Sequence, residues 1–339
     1  MSTILTAVRR HRAPALFALL VAGACARTTS TTSTAGAGAA PAPATAGVQA
    51  SRGMVVSASA IASQAGRNVL AAGGNAVDAA IATGFALAVT YPTAGNIGGG
   101  GFMVIRMPDG RATTIDFREK APAAANPGMI TDSTGAYSSR IHHRSHISVG
   151  VPGTVAGFAL AHQKYGKLAW KPLVEPAVKL SGDGFDMPPG LAASLRSSLK
   201  RFKEYPATVA AYSRGGVAYA AGERFQQPDL SRTLARIRDG GRDGFYRGET
   251  AKLIAAEMQR GGGLITESDL AAYEAKERAP ITGTYRGYEI ISMAPPSSGG
   301  VAMVEMLNIL EGFDLKGAGH NTPQYVHLLA ESMRRAFLD

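Results

Sequence analysis

"AGNIGGGGFMVIRMPDGRATTIDFREKAP", residues 94–122, places four consecutive glycines, Gly98 to Gly101, directly before an apolar run. Glycine costs conformational entropy, so such a run marks tight backbone geometry, close approach of another group, or a flexible tether. "FMVIRM" (102–107), "PDG" (108–110) and "RATTIDF" (111–117) read as strand, turn and strand. A glycine-rich turn can cradle a phosphate, but a P-loop needs a Lys-Ser/Thr pair, which "GNIGGGGF" lacks. A dinucleotide fingerprint needs strand, then glycines, then helix; here a strand follows the glycines. The run therefore reads as scaffold, with nothing in it that calls for a cofactor.

The elements on either side suggest how that hairpin is packed. "MVVSAS" (54–59) reads as a short strand, and "AIASQAGRNVLAAGG" (60–74) has helical spacing and stops at Gly73-Gly74. "NAVDAAIATGFALAV" (75–89) opens on Asn75, a good N-cap, and is apolar nearly all round, as a buried helix is. "HISVGVPGTVAGFALAHQKYG" (146–166) predicts a short strand, a Gly150-Val151-Pro152-Gly153 turn and a helix to about Tyr165. Residues 168–278 are mostly helical in pattern. One of these helices starts at Thr266 with Asp269 three residues on, a near capping box in which Glu or Gln completes the full pattern. Strands return over "APITGTYRGYEIISM" (279–293), "PPSSGG" (295–300) breaks the chain before a helix at about 301–311, and a last helix starts near Thr322-Pro323. Strands at both ends with a helical middle predict an α/β (α+β) sandwich carrying a helical insertion.

The first 26 residues read as an export signal rather than as part of this fold. "MSTILTAVRRHR" is basic, and "APALFALLVAGAC" is an apolar stretch ending in small residues, too short to span a bilayer. Cys25, the sole cysteine, ends "LLVAGAC". That resembles a bacterial lipoprotein box, with Ala22 where leucine is preferred; ordinary cleavage after Ala24 or Ala26 is the alternative. Residues 27–47, a Thr/Ala/Pro-rich stretch, lack the apolar content to fold and read as a tether. The expected location is outside the cytoplasm, in the periplasm, with a membrane tether through Cys25 if that residue is lipidated. Net charge is +10, but removing Arg9, Arg10 and Arg12 with the signal leaves 32 basic against 25 acidic residues. These positives are scattered, without the basic stripe of a nucleic-acid binder. "HHRSH" (142–146) lacks a carboxylate or cysteine to complete a metal shell, and the strand expected there argues against one helical face.

"AGNIGGGGF", "IDFREKAP", "VGVPGTVAGF", "QPDLSRTL", "GFYRGETA", "GGGLITESDLAAY" and "APPSSGG" occur in one order along residues 48–339. In that order they resemble the large-subunit region of the gamma-glutamyltransferase (gamma-glutamyltranspeptidase) family. The resemblance implies an N-terminal-nucleophile hydrolase fold, a four-layer αββα sandwich made as a self-cleaving precursor. It implies transfer of a γ-glutamyl group from glutathione or similar compounds to water or an amino acid, through an ester on a threonine that leads the small subunit. Arg118 matches the family arginine that pairs with the donor's α-carboxylate, and a guanidinium fork suits a carboxylate. Asp116 and Glu119 are read either as partners orienting that guanidinium or as surface charges. Ser297 and Ser298 read as part of a strand-to-helix turn, with hydrogen bonding in the site as the alternative. Asp229, Arg232 and Tyr246 read as structural parts of the insertion.

No threonine here, Thr113, Thr114 and Thr154 included, lies in the family's nucleophile context. The catalytic residue is therefore expected in a small subunit of the same precursor. The chain is read as an incomplete sandwich, truncated at its C-terminal side and inactive alone. Two alternatives stand beside this: a non-catalytic, lipid-anchored remnant that binds a carboxylate ligand, and a glutaryl-type acylase on the same fold. Arg118 suits a carboxylate in each.

Overall fold

The computed structural model describes residues 47–339. The signal segment (1–26), Cys25 and tether residues 27–46 lie outside the described residues. Residues 54–58 pair with no strand, so the strand expected at 54–59 is absent. Helix α1 (Ala60–Ala71) follows, capped by Ser59, and the chain turns through Gly73 at φ +89°. Helix α2 (Ala76–Thr90) opens with a reciprocal capping box. The Asn75 side chain accepts from Asp78 N at 3.0 Å, and Asp78 Oδ2 accepts from Asn75 N at 3.0 Å. The buried Asp78 carboxylate also accepts the backbone N–H groups of Lys167 and Leu168, so one side chain ties two segments 90 residues apart.

Strands β1 (Phe102–Arg106) and β2 (Ala112–Asp116) form the expected antiparallel hairpin, with Phe102 opposite Asp116 and Arg106 opposite Ala112. Helix α3 (Ser139–Arg144) carries His142 and His143, and His146–Ser148 is a 3-10 turn. The strand expected before Gly150 is therefore corrected: only Val151 pairs, in an isolated antiparallel bridge to Lys120. Helix α4 (Thr154–Tyr165) matches expectation.

The helical region runs through α5 (Trp170–Gly182), α6 (Pro189–Phe202), α7 (Pro206–Tyr212), α8 (Pro228–Gly240), α9 (Asp243–Tyr246), α10 (Gly248–Gly261) and α11 (Glu267–Ala272). The short strands β3 (Phe185–Asp186) and β4 (Arg224–Phe225) pair within it. Asp269 completes the capping box on Thr266 without Glu or Gln, because its shorter carboxylate still reaches Thr266 N at 2.9 Å. Strand β5 (Lys276–Arg278) adds to the far edge of β2, giving the order β1-β2-β5. Strands β6 (Ile281–Tyr285) and β7 (Tyr288–Ser292) form a separate hairpin. Helices α12 (Ser298–Glu311), α13 (Leu315–Ala318) and α14 (Pro323–Ala336) close the order; α12 starts at the Ser297 cap, three residues earlier than its apolar pattern suggests.

The core is built on α2. Ile81, Phe85 and Val89 are fully buried among residues of α4, α5, α8 and β2. Edge-to-face aromatic contacts run from Phe117 to Phe158 at 5.7 Å, to Phe85 at 5.1 Å, and on to Trp170 at 5.6 Å. Thus the residue before Arg118 is continuous with the deepest packing of the molecule. Among the described residues, no helix is long and apolar enough to cross a membrane.

Glu277 of β5 joins this sheet to α4. Its carboxylate accepts from Lys164, Tyr165 and Thr113, and these partners hold it down to about pH 2 against an ordinary value of 4.5. A depressed folded-state pKa stabilises the fold above the unfolded value, and that stability is lost as pH falls through the folded one. Glu277→Gln should therefore lower stability above about pH 5, by an amount that shrinks to nothing near pH 2. Urea unfolding of both proteins across that range checks it; a constant difference would exclude the ionised carboxylate as its source.

Candidate active site around Arg118

Arg118 follows β2, where the chain leaves the sheet. Its N–H donates to Asp116 Oδ1 at 3.1 Å and its carbonyl accepts from the Tyr273 hydroxyl at 2.8 Å, so both main-chain ends are tied. The side chain is exposed and makes no hydrogen bond or ion pair with the described residues. It lines a cleft of about 280 Å³, whose wall also includes Asp116, Lys120, Tyr273, Lys276 and Arg278.

Asp116, read either as a partner of the Arg118 guanidinium or as a surface charge, is neither: it is buried and bonded elsewhere. The Asp116 carboxylate takes Nε of Arg278 from β5 at 2.9 Å, with its other oxygen on the Arg118 main-chain N–H. Lys120 is also engaged, donating to Glu274 O at 2.9 Å and lying 5.0 Å over the Tyr273 ring. Glu119 bends toward the glycine loop rather than toward Arg118: a Cβ on Gly100 would come within 2.9 Å of its Oε2. Of the two guanidinium groups in this wall, that of Arg278 is tied to Asp116 through Nε, whereas that of Arg118 is wholly unengaged among the described residues.

The glycines explain how the segment is held. A Cβ on Gly100 would stand 2.5 Å from Phe117 O and 2.9 Å from Glu119 N, and one on Gly101 would stand 2.9 Å from the Phe117 ring. Gly153 and Gly157 close the other side, where a Cβ would overlap the Phe117 carbonyl and ring respectively. Hydrogen bonds complete the cradle. Phe117 and Gly101 exchange main-chain bonds of 3.1 and 3.3 Å, and Gly99 O accepts from Gly153 N at 2.7 Å and Thr154 N at 3.1 Å. Asn96 Oδ1 accepts from Gly99 N and from the Thr154 hydroxyl. Of the four consecutive glycines, only Gly98 meets nothing within 4 Å of its added Cβ.

The three threonines weighed as nucleophiles all have structural partners: Thr113 on Glu277, Thr114 on Arg278 O, and Thr154 on Asn96. Tyr246, assigned to the insertion, lies fully buried with its hydroxyl donating to Pro152 O at 2.8 Å, next to the cradle. Asp229 and Arg232 form an i,i+3 ion pair on the α8 surface, and the Ser297 side chain caps α12. His142 and His143 stack and share the Tyr137 hydroxyl, while His146 meets Glu257 at 2.9 Å. No group of three or more His, Cys, Asp or Glu among the described residues is placed to hold a metal ion.

The gamma-glutamyltranspeptidase family model matches residues 62–339, a span that includes the glycine cradle, Arg118 and the β5 wall. The chain belongs to the gamma-glutamyltranspeptidase family. It is 48% identical over 293 residues to a glutathione hydrolase proenzyme of Pseudomonas sp. (strain A14), covering 86% of this chain and 51% of that protein. It is 39% identical over 295 residues to an acylase proenzyme of Pseudomonas sp. (strain SE83), covering 85% of this chain and 53% of the relative. The chain thus spans about half the length of these curated relatives. Its fold matches the crystal structure of Helicobacter pylori gamma-glutamyltranspeptidase with a TM-score of 0.83 and 43% identity, covering 86% of this chain and 83% of that one. The N-terminal-nucleophile hydrolase fold expected from the motifs is the fold of that family.

Two parts of this site escaped the sequence reading. Arg278 sits in a three-residue strand too short and too charged to show alternation, and Tyr273 ended a motif without being singled out. The cradle itself is testable. Gly153→Ala should destabilise the protein by about 1–3 kcal/mol, because the Phe117 carbonyl and Tyr273 hydroxyl fill its Cβ position. Gly190→Ala, whose Cβ meets nothing within 4 Å, should stay within about 0.5 kcal/mol of the parent. Chemical denaturation of the two variants compares them directly, and equal losses would refute the cradle.

Proposed function

We propose that this chain forms the donor-binding half of an exported enzyme that transfers γ-glutamyl groups from glutathione or related compounds. The observation that carries the proposal is the unengaged guanidinium of Arg118, held at a cleft by a main chain that is fixed at both ends. The α-carboxylate of the donor would take two parallel N–H···O bonds from that fork, which leaves the γ-amide pointing away from the arginine.

The nucleophile belongs to a partner segment led by threonine, the small subunit of the same precursor. Two observations support this: the relatives are proenzymes, and Thr113, Thr114 and Thr154 each have their hydroxyl committed to a structural bond. The threonine hydroxyl would attack the γ-carbonyl and pass its proton to its own α-amine. Collapse of the tetrahedral adduct, with that proton delivered from the α-ammonium to the leaving nitrogen, then expels the amine and forms the γ-glutamyl ester. Water or an amino acid attacks that ester, regenerating the threonine. Residues 47–339 alone are inactive on this reading. The proposal extends to lipidation of Cys25, after which residues 27–47 would act as a spacer from the membrane.

Similarity to an acylase proenzyme favours one second reading, in which the donor carries a glutaryl-type acyl group. Arg118 would hold a carboxylate in both cases, so the assay must vary the donor. With the threonine-led segment supplied, the enzyme should cleave γ-glutamyl-p-nitroanilide, and Arg118→Lys should raise the donor KM about 10- to 100-fold. An unchanged KM would remove Arg118 from the donor site. Faster cleavage of a glutaryl amide than of its γ-glutamyl counterpart would establish the acylase reading. For the anchor, Cys25→Ser should abolish incorporation of labelled palmitate into the exported protein; incorporation that persists would dismiss it.

A further inference from the structure

Two tyrosines of the helical insertion reach the loops that form the candidate site. Tyr273, directly after α11, donates its hydroxyl to Arg118 O at 2.8 Å. Tyr246, at the end of α9, donates to Pro152 O at 2.8 Å and accepts from Ala156 N at 3.3 Å. Their rings are stacked, 5.7 Å between centroids and 9° from parallel. The Arg242 guanidinium lies 4.7 Å over the Tyr246 ring and donates to the carbonyls of Ala271 and Tyr273 at 3.0 and 2.6 Å. The two loops also pair with each other: Val151 N donates to Lys120 O at 2.7 Å and Lys120 N to Val151 O at 3.2 Å. Tyr273 is 2% exposed, and burial raises its hydroxyl well above the ordinary tyrosine range, so it stays a protonated donor.

The Tyr273 bond falls on the carbonyl of the residue whose guanidinium stands unengaged at the cleft. A long side chain swings through a large arc when its own peptide rotates, so that carbonyl is an effective place to fix it. We propose that Tyr273 is a positioning residue for Arg118, setting the guanidinium for the donor carboxylate by holding the Arg118–Glu119 peptide plane. Tyr246, by contrast, holds Pro152 and the fold behind it. The proposal rests on the reading of Arg118 as the carboxylate-binding group.

Tyr273→Phe separates the two roles, because it keeps the stacked ring and the Lys120 contact and removes only the hydroxyl. In the complete enzyme with its threonine-bearing segment, it should raise the donor KM roughly five- to tenfold, with kcat within about twofold of the parent. Hydrogen–deuterium exchange in the peptide covering residues 117–120 should quicken in the same variant. Tyr246→Phe should lower the melting temperature and leave the donor KM unmoved. If Tyr246→Phe raises KM as much as Tyr273→Phe does, the effect is general loosening and the positioning role is wrong. If Tyr273→Phe leaves KM unchanged while Arg118→Lys raises it, the donor site stands and only the positioning role falls. If Arg118→Lys itself leaves KM unchanged, both fall.

Discussion

The main chain at Phe117 passes through a slot too narrow for any β-carbon on its walls. Gly100 and Gly101 form one side, Gly153 and Gly157 the other. Each such glycine gives up about 0.5–1 kcal/mol relative to alanine in regular structure. The return is positional. The Phe117 ring enters the aromatic packing of the core while, one residue later, Arg118 emerges into solvent. Burial at one position and exposure at the next is ordinary for a strand end; here the glycines make the change without slack, because Gly101 bonds Phe117, Val151 bonds Lys120, and the two loops bond each other through Gly99 and Gly153.

Charge in the cleft wall is arranged by the same economy. Asp116 is mostly buried, and a carboxylate in that position needs partners for both oxygens. It finds Arg278 across the sheet and the Arg118 main-chain N–H. The neighbouring guanidinium is thereby left unpaired although an acid lies two residues away. A pairing of Asp116 with the Arg118 side chain would neutralise the group that a carboxylate ligand requires. Recruiting β5 to supply Arg278 avoids that loss.

Much of this could be read from the chain. The buried helix at Asn75, the hairpin around Pro108-Asp109-Gly110 and the scaffold role of the glycines follow from local patterns, and the structure has them. The errors also have physical causes. "MVVSAS" has strand composition but no neighbour with which to pair, and "HISVG" is drawn into a 3-10 turn by the Ser145 side chain, which accepts from Ile147 N. Asp269 works in a capping box where a longer side chain was expected, because only reach decides. The pairing of β2 with β5 was not legible at all. "KER" has no alternation, and its place is set by Asp116 and Thr113, more than 150 residues earlier in the chain.

That distance has an entropic side. Thr114 and Arg278 meet across 164 residues of chain. For a flexible chain, closing a loop of that length costs about 2.5 kcal/mol more than closing one of ten residues. The helices between them shorten the effective loop once they have formed, so a folded insertion lowers the cost of adding the third strand. The hairpin closes over a few residues, whereas the surroundings of Arg118 depend on contacts from Tyr273 and Arg278 far along the chain. A loosely packed insertion would therefore cost the cleft its Tyr273 and Arg278 contacts even where the hairpin itself is intact.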